Sequence, residues 1–179
     1  DMMKEMGATA QERIALLENA PQHGRVQSRL AAALVEAEFW DEAIDQLELM
    51  QFDPYEGERG TRPTYYAAYV GRGLERYGWG DWQGALADFQ AALEYPRHIG
   101  VGKSHFAQDS KALYWGGMAA EKLGDGSAAR EYWEQGASVR ANPREEIDSP
   151  LEGYEPEARL FKSFCLQKLG RADEARELF

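Results

Sequence analysis

A chain of 179 residues with a formal net charge of −11 and a pI near 4.8 presents a surface that repels phosphate backbones and anionic lipid, so nucleic acid and bilayers are poor partners for it. A hydrophobic fraction of 44%, with five Trp, nine Tyr and seven Phe, is enough for a packed core and excludes disorder. The single cysteine, Cys165, rules out a disulfide within the chain and reads as a buried reduced thiol in the helical string LFKSFCLQKLG, compatible with a cytoplasmic location.

From the N-terminus, DMMKEMG has neither the charge pattern nor the apolar run of a secretory signal, and no stretch of the chain is long and apolar enough to span a membrane. The chain begins without an initiator Met and stops at Phe179 inside a helical pattern. Both ends read as cut, and a fragment of a larger protein is expected. Thr9 followed by Glu12 is a capping-box signature that opens a short helix through Ile14, Leu16 and Leu17, closed by Pro21. Residues 1–24 are expected to be a capping helix or the remnant of a preceding repeat. Helices are expected next over 25–37 and 40–51, with Asp41 in the first turn of the second, where a carboxylate favours the helix dipole. The turn-rich segment FDPYEGERGTRP (52–63) leads to a helix over 64–77, whose glycines each cost about 1 kcal/mol against Ala unless close helix packing compensates.

The following helix starts at Trp82. Its apolar residues Trp82, Ala85, Leu86, Phe89, Ala92 and Leu93 make one stripe at a 3.6-residue period. A second loop (97–110) ends in Asp109 and Ser110, either able to cap a helix over 111–123, and a further helix covers 127–140. The most acidic loop (142–156) precedes a last helical pair that starts near Pro156, a suitable first helical residue.

The helix pairs repeat. EFWDEAIDQL (38–47), GDWQGALADF (80–89), GDGSAAREYW (124–133) and GRADEARELF (170–179) align so that Ala43, Ala85, Ala129 and Ala175 share a column, as do Leu47, Phe89, Trp133 and Phe179. Gly80, Gly124 and Gly170 stand at the turn, with Glu38 in that place in the first copy. Seven residues upstream the column holds the small residues Ala31, Gly73, Gly117 and Ser163, and Pro54, Pro96 and Pro143 follow the second helices.

This pattern resembles the tetratricopeptide repeat over about residues 25–179, with repeats at about 25–53, 64–96, 110–141 and 156–179. The resemblance implies an all-α, right-handed superhelical solenoid of about four helical hairpins. The alanines recur every 42, 44 and 46 residues, against a family period of about 34, so each junction carries an extra loop of about eight to twelve residues. More narrowly, FDPYEG (52–57), ALEYPRHIGVGKSH (92–105) and ALYWGGMAAEKLGD (112–125) resemble the C-terminal repeat tract of large bacterial proteins that carry a β-sandwich domain of unknown function.

No chemistry attaches to this pattern. GVGKS (100–104) looks like the end of a phosphate-binding loop, but Arg97 stands where the motif needs Gly and a helix precedes it where a strand is required. His98, His105 and Asp109 share a loop without the count or spacing of a zinc site, and His23 is alone in a turn. Carboxylates are abundant but fall on polar helix faces. No nucleophile elbow, Cys–His pairing or HExxH string is present, so neither catalysis nor a cofactor is expected.

By the same resemblance, the first helix of each repeat lines a concave groove. The matching positions are Arg25 and Ser28 in repeat one, Val70, Leu74 and Tyr77 in repeat two, Lys111, Tyr114, Met118, Glu121 and Lys122 in repeat three, and Leu160, Phe164 and Lys168 in repeat four. The implied function is a non-catalytic interaction module that binds a protein or peptide segment, or another domain of the same polypeptide. Helix-on-helix packing is the competing role for the apolar members. The narrower resemblance suggests instead an accessory helical domain of a bacterial carbohydrate-active enzyme, with Tyr55, His98, His105 and Tyr154 placed to touch sugar. Association between copies of the chain is a third expectation.

Overall fold

The computed structural model describes residues 4, 7–21, 23–50, 61–100, 102–103, 106–140 and 156–179. Among them every regular element is helical, in an order consistent with a solenoid: α1 Ala10–Glu18, α2 Gly24–Glu36, α3 Trp40–Leu49, α4 Thr61–Trp79, α5 Trp82–Ala92, a 3-10 turn Arg97–Ile99, α6 Ser110–Lys122, α7 Gly126–Ser138, α8 Pro156–Lys168 and α9 Ala172–Arg176. The boundaries follow the sequence signals closely. α4 starts three residues before the expected Thr64 and takes Pro63 into its first turn, where a missing N–H costs nothing because no carbonyl awaits it.

Four hairpin turns share one geometry. At each, the residue after the turn donates its amide to a carbonyl five residues back: Phe39 to Leu34 (2.9 Å), Asp81 to Arg76 (3.0 Å), Asp125 to Ala120 (3.0 Å) and Arg171 to Leu166 (2.9 Å). This hydrogen bond closes the helix end only if the intervening residue is left-handed, which a Cβ opposes. Gly80, Gly124 and Gly170 have φ of 84°, 83° and 75°, and Glu38 takes φ 61° in the first copy. Asp81 and Asp125 then cap the second helices, each carboxylate accepting from an amide three residues on, Gly84 and Ala128, at 2.9 Å.

The described chain forms two compact units. The first comprises residues 1–72 and 94–102. In it α2 packs on α1 and on α3, with Leu30, Ala31, Leu34, Ala43, Ile44 and Leu47 buried. Thr9 and Glu12 form the expected capping box at the start of α1. Trp40 lies against Gly71, where a Cβ would come within 2.6 Å of the indole.

The second unit comprises residues 73–93 and 103–179. Here α6 packs against α5, α7 and α8, and α8 against α7 and α9. Its interior has two clusters: Phe89 with Ala85 and Ala119, and Trp133 with Ala120, Ala129, Ala137, Cys165, Leu166, Ala175 and Leu178. None of the described helices is long and apolar enough to cross a membrane.

Candidate functional site

In the second unit the first helices of three hairpins contribute aromatic residues to one contiguous ladder: Tyr77 from the last turns of α4, Tyr114 and Trp115 from α6, and Phe161 and Phe164 from α8. Neighbouring residues of a helix point about 100° apart. The adjacent pair on α6 therefore reaches both ways, Trp115 to Tyr77 and Tyr114 to the two phenylalanines. Ring centroids step from Tyr77 to Trp115 at 5.2 Å, to Tyr114 at 5.4 Å and on to Phe164 at 5.5 Å, with Phe161 5.6 Å from Tyr114. These separations and tilted or edge-on orientations are those aromatic pairs prefer.

The ladder is anchored from below. Tyr77 and Trp115 pack on the Phe89 cluster, Tyr114 packs on the Trp133 cluster, and the Trp133 indole donates to the Tyr114 carbonyl at 3.2 Å. All five rings are half-buried, so each keeps part of its surface in water. Two ion pairs flank them, Lys111 to Glu157 at 2.7 Å and Lys168 to Glu121 at 2.8 Å, both partly exposed. Lys111 also lies 5.7 Å above the Phe161 ring and Lys168 4.7 Å above Trp133, where a cation is attracted to the ring face. Burial first, and then the Glu121 carboxylate, push the Tyr77 phenol above its ordinary range. The hydroxyls of Tyr77 and Tyr114 and the indole N–H of Trp115 have no hydrogen-bond partner among the described residues.

Of the residues proposed from sequence for a groove, Tyr77, Lys111, Tyr114, Glu121, Phe164 and Lys168 meet in or beside this ladder. Met118 is half-buried against the Trp133 cluster, Leu74 packs on the Phe89 cluster, and Leu160 is exposed on α8. Lys122 is exposed, 5.9 Å above the Trp82 ring. In the first unit Arg25 is exposed, whereas Ser28 and Val70 are buried. They are 6% and 3% accessible, and Ser28 spends its hydroxyl on a buried contact with the Thr61 hydroxyl at 3.3 Å.

Trp115 and Phe161 were not foreseen, although each adjoins a proposed position, and paired neighbours of that kind are the signal that would have found them. Nor was a polar cluster of the first unit. In it the Tyr69 hydroxyl donates to Glu48 at 2.9 Å and His98 faces the same carboxylate at 3.6 Å. Nearby, the buried guanidinium of Arg62 lies 4.1 Å from the Tyr95 ring centre and 5.3 Å from that of Tyr66. Tyr55, His105 and Tyr154 lie outside the described residues, as does Ser104 of the GVGKS string, whose Gly100 ends the 3-10 turn at φ 70°.

The fold and this surface define a class: an all-helical protein of successive hairpins with a half-buried aromatic face on its first helices. No family model matches the chain, and no curated protein matches it. The crystal structure of MamA is similar over 100% of this chain and 89% of that chain, at a TM-score of 0.46 and 16% identity, a likeness too slight to carry an inference.

Proposed function

We propose that the chain is a non-catalytic interaction module of four helical hairpins that holds a peptide segment or a neighbouring domain against the aromatic face of its second unit. The observation that carries this reading is the Tyr77–Trp115–Tyr114–Phe164 ladder, seated on the core yet half open to water, with three hydrogen-bond donors that have no partner among the described residues. Aromatic rings supply large contact areas at little entropic cost, and donors without internal partners give such a surface direction as well as adhesion. The flanking Lys–Glu pairs form a polar rim that keeps the face soluble when empty.

A direct test is affinity capture with the full chain, its Tyr114→Ala and Phe164→Ala variants, and Leu49→Ala as a control on the exposed surface of the first unit. Partners captured by the native chain should be lost with the first two variants and kept with the third. Equal recovery on all four proteins would place binding elsewhere.

A further inference from the structure

We infer that the occupant of this face is a proline-rich segment in the polyproline II conformation that carries basic residues, an inference that rests on the interaction reading above. Three ligand backbones are available in principle, and the unused donors discriminate among them. A helical ligand satisfies its own carbonyls, so only its side chains would be left to accept from the Tyr77 and Tyr114 hydroxyls and the Trp115 indole N–H, and any donor desolvated without an acceptor is costly. An added β-strand needs a sheet edge to pair with, and all described elements around the ladder are helices. A polyproline II segment has no internal hydrogen bonds, so every carbonyl is free to accept, and its pyrrolidine rings pack on aromatic faces.

The ladder suits that shape. Polyproline II turns every three residues with an advance of about 9 Å. Ring centroids here are spaced 5.2, 5.4 and 5.5 Å apart, so alternate rings lie within reach of successive turns. The segment is also already extended before it binds, which keeps the ordering cost small for a face of only a few rings.

The sign of the ligand's charge follows from its surroundings. Glu121 and Glu157 hold the rim with side chains 46% and 58% exposed, leaving carboxylate oxygens open beyond their lysine partners. The whole chain carries −11, so its long-range field draws cations toward the protein and disfavours the approach of an acidic segment. Arginine or lysine between the prolines would meet those carboxylates at the rim.

The inference is tested by selecting from a random peptide library on the full chain, then measuring the enriched peptides by calorimetry against the native protein and a Tyr77→Phe, Tyr114→Phe double variant. That variant keeps both rings and removes only the hydroxyls; matching circular dichroism and melting would show that the fold is retained. Enrichment of proline-rich basic peptides, bound about tenfold more weakly by the double variant and more weakly still when Pro is replaced by Ala or Arg by Glu, is the expected result. Enriched peptides without proline that still bind more weakly to the variant would overturn this inference and leave the aromatic face as the binding site. No enrichment, or binding indifferent to the double variant, would overturn this inference, and binding that Tyr114→Ala also leaves unchanged would overturn the reading of the aromatic face as well.

Discussion

At Gly73 the absence of a side chain has a measurable reason: an added Cβ would come 2.7 Å from the buried Phe89 ring. Gly117, in the same column of the repeat, lies still closer to the Trp133 indole. Gly78, five residues further along α4, has open space around it and helical φ. Gly73→Ala should therefore lower stability by about 1–3 kcal/mol through overpacking, while Gly78→Ala should raise it by up to about 1 kcal/mol through helix propensity. Urea unfolding of the two variants beside the native chain distinguishes them. Cys165, fully buried in the Trp133 cluster, is a second residue whose chemistry follows from packing: burial pushes its thiol up to about 12. The native protein should resist thiol-directed reagents at pH 8 and react at once when unfolded. The sign of the linkage also follows. Above the ordinary thiol range the unfolded chain loses this proton while the folded chain keeps it, so this group subtracts stability as pH rises, and Cys165→Ala should flatten that loss. The legibility of such sites was partial. The small-residue column pointed to close helix contact at Gly73 and Gly117, but nothing local showed that the first-repeat position Ser28 would be covered by Thr61, 33 residues away.

Between elements, the turn is the unit that repeats. The four five-residue-back hydrogen bonds and the left-handed residues they enclose are alike, except that the first turn uses Glu38 where the others use glycine. A left-handed conformation costs a residue with a Cβ about 1–2 kcal/mol, partly offset by the entropy glycine loses on folding. Glu38→Gly should consequently stabilise the protein by several tenths to about 1 kcal/mol, and Gly124→Ala should destabilise it by about 1–2 kcal/mol, both read as shifts in the urea midpoint. The caps offer a matched pair of tests: Asp81→Ala and Asp125→Ala each remove one hydrogen bond to an otherwise orphan amide and should cost about 0.5–2 kcal/mol. The glycine turns were visible in advance, since a glycine ahead of an amphipathic run marks its own turn within two or three residues, whereas the capping roles of Asp81 and Asp125 emerged from the structure. The aromatic ladder was visible in part. Tyr77, Tyr114 and Phe164 were among the residues named from the sequence, whereas Trp115 and Phe161 joined because α6 is flanked on both sides.

At the scale of the molecule, the chain divides into two compact units, and the division falls within α4, after Arg72. In a protein assembled from hairpins, each unit depends mostly on the contacts of its own neighbours, so damage stays close to where it is made. Trp133→Ala, which empties the largest cluster of the second unit, should cost about 3–5 kcal/mol there. Amide exchange should accelerate most in α6 to α9 and much less in α1 to α3, where Leu30, Leu34 and Leu47 form a separate core. Uniform acceleration across all helices would instead mean that the units unfold as one.

The sequence alone determined what depends on neighbours along the chain: the helical hairpins, their turns and caps, the small-residue columns and the acidic surface. Periodicity and backbone stereochemistry act over a few residues, so a few residues reveal them. Tertiary structure decided which flank of each first helix meets water. It buried Ser28 and Val70, joined rings from three helices into one ladder, and left three donors of that ladder without acceptors among the described residues. Those outcomes depend on elements 30 or more residues apart packing side by side, a contact that no local pattern encodes.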